Sequence, residues 1–133
     1  MQKPNIKNTK QKSKTAFRRR VYLYTINSLK FTGTINTKGD SVARIIIEQL
    51  IRSLTSIGAN IIEAKACNSK RDFARYFDMA LKSANETKFW LCLLRDLRKA
   101  NKDKIQEILV ETTEIANILA SSLMTMRSIK KDS

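Results

Sequence analysis

The chain contains no histidine, so any acid–base chemistry would fall to its carboxylates and thiols. Two carboxylates stand at helical spacing from polar partners: Glu63, three residues after Asn60, and Glu86, four after Lys82. Pairs at three and four residues are ordinary neighbours on a helix surface, and they are read as structural. Cys67 and Cys92 form neither a CxxC pair nor a metal-ligand spacing. The apolar neighbours of Cys92 point to a buried, inert thiol, and no glycine-rich phosphate loop is present. The expectation is a protein without catalytic residues, metal or cofactor, and not an enzyme. Two lone reduced cysteines fit a cytoplasmic location.

The chemistry that remains is that of fixed positive charge. The net charge is +14 over 133 residues, and the first 39 residues hold ten basic side chains and no acidic one. Arg18, Arg19 and Arg20 are consecutive, with Lys12, Lys14 and Lys30 around them. Lysine and arginine neutralise phosphates and release counterions, giving salt-dependent binding without base reading. These six residues are the candidate nucleic-acid contacts. Tyr22 and Tyr24 lie close enough to stack on unpaired bases, although Tyr24 reads better as core. Basic clusters also attract membrane surfaces, which ranks third behind nucleic acid and a protein-binding scaffold. The apolar run 89–94 is too short to span a bilayer, and no apolar stretch of secretory-signal length follows the basic start.

What must position these charges is helical. Proline occurs once and glycine three times in 133 residues, so elements are long. Residues 1–15, lysine-rich with little to bury, are expected as a disordered basic arm. A single domain follows over residues 16–133. Phe17, Val21, Tyr24, Ser28 and Phe31 carry a 4, 3, 4, 3 spacing for a first helix over about 16–31, although residues 21–26 also have strand propensity. Ile47, Leu50, Leu54, Ile57 and Ile61 mark a second helix over 41–66, capped by Thr37 or Asp40. Ser69 can cap a third, running to about residue 99, with Phe73, Phe77, Ala80, Ala84, Thr87, Leu91 and Leu94 as its seam. Ile105, Ile108, Thr112, Ile115, Leu119, Ser122, Met126 and Ile129 mark a fourth over 102–129, and Asn101 either ends the third helix or caps the fourth. Short connections between amphipathic helices predict an all-α, antiparallel up-down-up-down four-helix bundle.

Some apolar residues exceed what one bundle needs. Phe89, Trp90, Leu91, Cys92, Leu93 and Leu94 cover every side of a helix, which calls for complete enclosure. Ile51, Gly58 and Ile62 widen the stripe of the second helix. A mid-helix glycine costs roughly 1 kcal/mol, which a close passage of another helix backbone would explain. Ile51, Gly58, Ile62, Phe89, Trp90 and Leu93 are the expected contacts of a homo-oligomer.

The stretch 49–64, with Ser56-Ile57-Gly58-Ala59-Asn60 at its centre, resembles the helix-2 signature of the bacterial four-helix bundle proteins first noticed as reading frames in intervening sequences of large-subunit ribosomal RNA genes. Ser69-Lys70-Arg71-Asp72-Phe73 and the segment 80–91 look like its helix-3 signature. The likeness covers roughly residues 17–97. It implies an antiparallel bundle assembled as a ring-like homopentamer, without catalytic residues. A related branch, the accessory variability determinant of diversity-generating retroelements, is similar in its Phe-Trp-Leu segment and its basic charge. That similarity implies a reverse transcriptase and its template RNA as partners. The combined expectation is a non-enzymatic, oligomeric RNA- or DNA-binding bundle, serving as a reverse-transcriptase accessory. The alternative is an oligomeric protein scaffold that binds no nucleic acid.

Overall fold

In the computed structural model, the backbone is described for residues 6–132 and the side chains for residues 12–128. Four helices follow in order: α1 (Ile6–Gly33), α2 (Ser41–Lys65), α3 (Lys70–Asp96) and α4 (Lys102–Asp132). Among the described residues there is no strand. Each helix packs on its neighbours around the bundle, most extensively α2 on α3 and most thinly α1 on α4. The protein is an all-α four-helix bundle. Its seams follow the 3,4 spacing: Leu50, Leu54, Ile57, Leu91, Leu94, Ile105, Ile115 and Leu119 are almost wholly buried.

The core has two parts. One gathers Val21, Leu54, Ile57, Ile61, Phe77, Ala80, Ala84, Ile115 and Leu119, with Phe17 and Phe73 at its margin. The other, toward the α1–α2 loop, gathers Ile46, Ile47, Leu50, Leu91, Leu94, Ile105 and Leu109. Between them lies a layer of buried hydroxyls drawn from all four helices: Ser28, Ser53, Thr87 and Thr112. The Thr87 and Ser53 hydroxyls are hydrogen-bonded at 2.9 Å, and Thr112 bonds the Tyr24 hydroxyl. Ser28 Oγ alone has no partner among the described residues. A polar layer inside an apolar seam disfavours slipped registers, because slipping would bury the hydroxyls unpaired.

The ends of the helices are set by local chemistry. Asp40, not Thr37, caps α2 by accepting from the Ala43 N–H at 3.0 Å. Ser69 caps α3 through the Asp72 N–H at 3.1 Å, and Asn101 caps α4 through the Lys104 N–H at 3.0 Å. The α1–α2 loop turns at Gly39, whose φ of 72° is left-handed and suits glycine.

Two boundaries differ clearly from expectation. Helix α1 begins at Ile6, so residues 6–15, expected as part of an arm, are the start of a helix, and residues 1–5 lie outside the described residues. Lysine and glutamine have good helix propensity, and extending an existing helix needs no new nucleus. Residues 21–26 stay helical despite their strand propensity because Val21 and Tyr24 are packed into the bundle core at helical spacing. Helix α3 stops at Asp96, before the expected residue 99, because Arg98 takes a left-handed φ of 56°. Lys99 N–H then reaches Leu94 O at 2.9 Å and Arg98 N–H reaches Arg95 O at 3.1 Å, the crossed pair of a Schellman closure. Hydropathy sets α2 apart from the other helices. By length and composition α2 could cross a membrane, with a mean hydropathy of 1.3 in its most apolar window. Nine of its residues instead line the bundle core.

Candidate nucleic-acid interface

The α1 helix is mounted on the bundle through Val21, Tyr24, Ser28 and Thr32, all buried, with Phe17 and Phe31 half-buried beside them. At 100° per residue, the opposite face carries Lys12, Arg19, Leu23 and Lys30, spaced 7, 4 and 7. All four are exposed. The stripe spans 18 residues, or about 27 Å. Among the described residues Lys12, Arg19 and Lys30 make no ion pair. Tyr22, 66% exposed, flanks Arg19 and presents a ring to solvent. Tyr24 is core. Burial raises its hydroxyl pKa to about 12, against the opposing effect of its bond to Thr112.

The three consecutive arginines therefore part company. Arg19 is free and exposed. Arg18 is half-buried and donates to Thr15 Oγ1 at 3.3 Å. Arg20 does not belong with the outward charges: it bonds Glu111 at 2.7 Å and also pairs with Glu114, both on α4. The Glu111 hydrogen bond chiefly holds its guanidinium charged above the ordinary arginine value, against the opposing effect of desolvation and with Glu114 adding to it. Arg20 is thus a clasp between α1 and α4 at their thinnest junction. Lys14 is exposed, with its Nζ 6.0 Å from the centre of the Phe73 ring. On α4, Glu107 also pairs locally, with Lys104 at 3.4 Å.

The expected self-association surface divides. Ile51, Gly58 and Ile62 share one stripe of α2, at spacings of 7 and 4. Gly58 faces α1: a Cβ there would meet Val21 Cγ1 at 3.6 Å and Thr25 Oγ1 at 3.9 Å. Those are ordinary contacts with side chains, so no backbone passes close, and the explanation offered for this glycine fails within the chain. Ile51 and Ile62 remain exposed at 37% and 58%.

On α3 the run 89–94 is apportioned. Leu91 and Leu94 are core, while Trp90, Cys92 and Leu93 are half-buried against the second core cluster. Phe89, 55% exposed, is the member left outside, edge-on to Trp90 at 5.0 Å. Complete enclosure is therefore not what the chain provides. Val42, Ile45 and Leu97 are further exposed apolar residues that lie off the 3,4 seams.

The carboxylates do not form the pairs expected of them. Glu86 accepts from the Trp90 indole N–H at 3.2 Å. Lys82 pairs instead with Asp78 at 3.5 Å, and Asn60 donates to the Ser56 carbonyl at 2.8 Å. Among the described residues no group of three or more cysteines and carboxylates could hold a metal ion.

Residues 27–121 match the family described as 23S rRNA-intervening sequence protein, from the end of α1 to most of α4. The chain belongs to the 23S rRNA-intervening sequence protein family. A crystal structure of a protein of unknown function, from the S23 ribosomal protein family of Bacteroides thetaiotaomicron, is similar with a TM-score of 0.72 and 31% identity. That likeness covers 80% of this chain and 97% of the other. No curated protein matches. The intervening-sequence match takes in Lys30 and the signature 56–60 but begins after the arginine block. Lys12, Lys14 and Arg18–Arg20 thus lie outside the part of the chain that the family describes.

Proposed function

We propose that this protein is a non-enzymatic, oligomeric RNA-binding bundle. The observation that carries the reading is the outward stripe of α1, where Lys12, Arg19 and Lys30 are exposed and unpaired beside Tyr22. Repeated in each copy of an oligomer, weak patches add as avidity. The family's name, which refers to 23S ribosomal RNA, supports RNA over other anions. The exposed apolar residues on α2 and α3 support self-association, and the homopentamer is its proposed form. A reverse transcriptase, working in the cytoplasm on an RNA template, would be one specific partner of such a bundle. A scaffold that bound its partner through the acidic residues of α4 would have to compete with the pairs that Glu111 and Glu114 make with Arg20.

The experiment is a fluorescence-anisotropy titration of labelled single-stranded RNA at several salt concentrations, with wild type and a Lys12→Gln/Arg19→Gln/Lys30→Gln variant. The reading expects binding that falls steeply with salt and a shallower slope in the variant, by about 0.7 per lost phosphate contact. Equal affinities and slopes in the two proteins would leave the scaffold as the better account.

A further inference from the structure

The turn between α3 and α4 carries positive charge that the α1 stripe does not include. Arg95, Asp96, Arg98, Ala100, Lys102 and Gln106 line a cleft there, open to solvent rather than enclosed. Its single carboxylate is spoken for: Asp96 binds Arg95 through both oxygens, at 2.9 and 3.4 Å. Arg95 chiefly, and Lys102 more weakly, hold that carboxyl below the usual carboxylate range. Lys99 is also engaged, bridging to Asp40 at 2.9 Å, which ties the turn to the α1–α2 loop. Arg98 and Lys102 are exposed and have no ion-pair partner among the described residues.

Both residues break a local rule. Arg98 occupies a left-handed position that favours glycine. Lys102 opens α4, where the helix dipole disfavours a cation. Stability alone would put other residues at both places. The cleft also falls within the region matched by the family, unlike the arginine block of α1.

We propose that Arg98 and Lys102 form a second phosphate contact, gripping the sugar–phosphate backbone of a single-stranded RNA across the α3–α4 end of the bundle. The cleft is open to solvent, so both cations, unpaired among the described residues, are accessible to phosphate. This rests on the RNA-binding reading above and adds to it a site apart from α1.

The test titrates a labelled 20-nucleotide single-stranded RNA against wild type, an Arg98→Gly/Lys102→Gln variant, the α1 triple variant and a Lys104→Gln control. Glycine is at ease at position 98, so the double variant is expected to melt no lower than wild type. It should bind about tenfold more weakly near 0.1 M salt, with the salt slope reduced by about 1.4. Lys104→Gln should change affinity less than twofold. A double variant that binds within twofold of wild type, while the α1 variant is weakened, overturns this site and leaves the general reading standing. Wild type that fails to bind the RNA overturns both.

Discussion

Gly58→Ala should stabilise the protein. The position lies inside α2, where glycine is disfavoured against alanine by roughly 1 kcal/mol through backbone freedom in the unfolded chain. The added methyl would meet Val21 Cγ1 at 3.6 Å and Thr25 Oγ1 at 3.9 Å. Contacts at that range contribute on the order of 0.1–0.2 kcal/mol each and are attractive, so the sign stays with the propensity. An unfolding entropy of about 2.1 cal/mol/K per residue amounts to about 0.28 kcal/mol/K for a chain of this length, which converts 1 kcal/mol into a rise of about 3–4 °C in Tm. The assay is thermal unfolding followed by circular dichroism at fixed protein concentration, because the proposed self-association would make Tm concentration-dependent. A Tm that stays level or falls would refute the reasoning. It would mean that something outside the chain, such as the backbone of another copy, occupies the space beside Gly58.

Ser28→Ala should also stabilise, by about 1 kcal/mol in urea unfolding, because it removes a buried hydroxyl without a partner; a loss of stability would show that Ser28 is bonded. If the proposed oligomer forms through the outer face of α3, Phe89→Glu should lower its mass measured by sedimentation while leaving helical content unchanged, since Phe89 is exposed and outside both core clusters. Trp90 is a poorer probe, because its half-buried ring packs on the core. Asp40 is held below the usual carboxylate range, first by Lys99 and then by the Ala43 N–H, so its contribution is present above the unfolded value of about 3.9 and is lost as pH falls through the lowered folded value. Asp40→Asn, which keeps the cap, should flatten the acid side of the Tm–pH curve below about pH 4; an unchanged curve would count against the Lys99 bridge.

The bundle was legible in the sequence because the seams of α2 and α3 are regular. Leu50, Leu54, Ile57, Leu91 and Leu94 stand at 3,4 spacing and are all core. The start of α1 was not, because residues 6–15 carry no apolar periodicity and their helix is an extension of the packed part. Arg98 hid the end of α3, since nothing about an arginine announces a left-handed residue. The run 89–94 showed that apolar surface was in excess but not which members the chain itself covers.

The candidate site divided along the same line. Composition located the positive charge on α1, and helical spacing then separates Arg19 from Arg20. The partners of Arg20 lie 91 and 94 residues away, and only tertiary packing brings them together. The cations at the α3–α4 turn gave one local sign, a lysine in the first turn of a helix.

Arg19 and Arg20 are adjacent and chemically identical, yet the account gives them opposite roles, and Gln substitutions at each test it most directly. Arg19→Gln should weaken single-stranded RNA binding and lower its salt slope by about 0.7, with Tm unchanged. Arg20→Gln should lower Tm by about 3 °C, from the loss of a part-exposed clasp contributing about 1 kcal/mol, with RNA affinity within twofold of wild type. The reverse pattern, with Arg20 carrying the RNA affinity and Arg19 silent, would contradict the account.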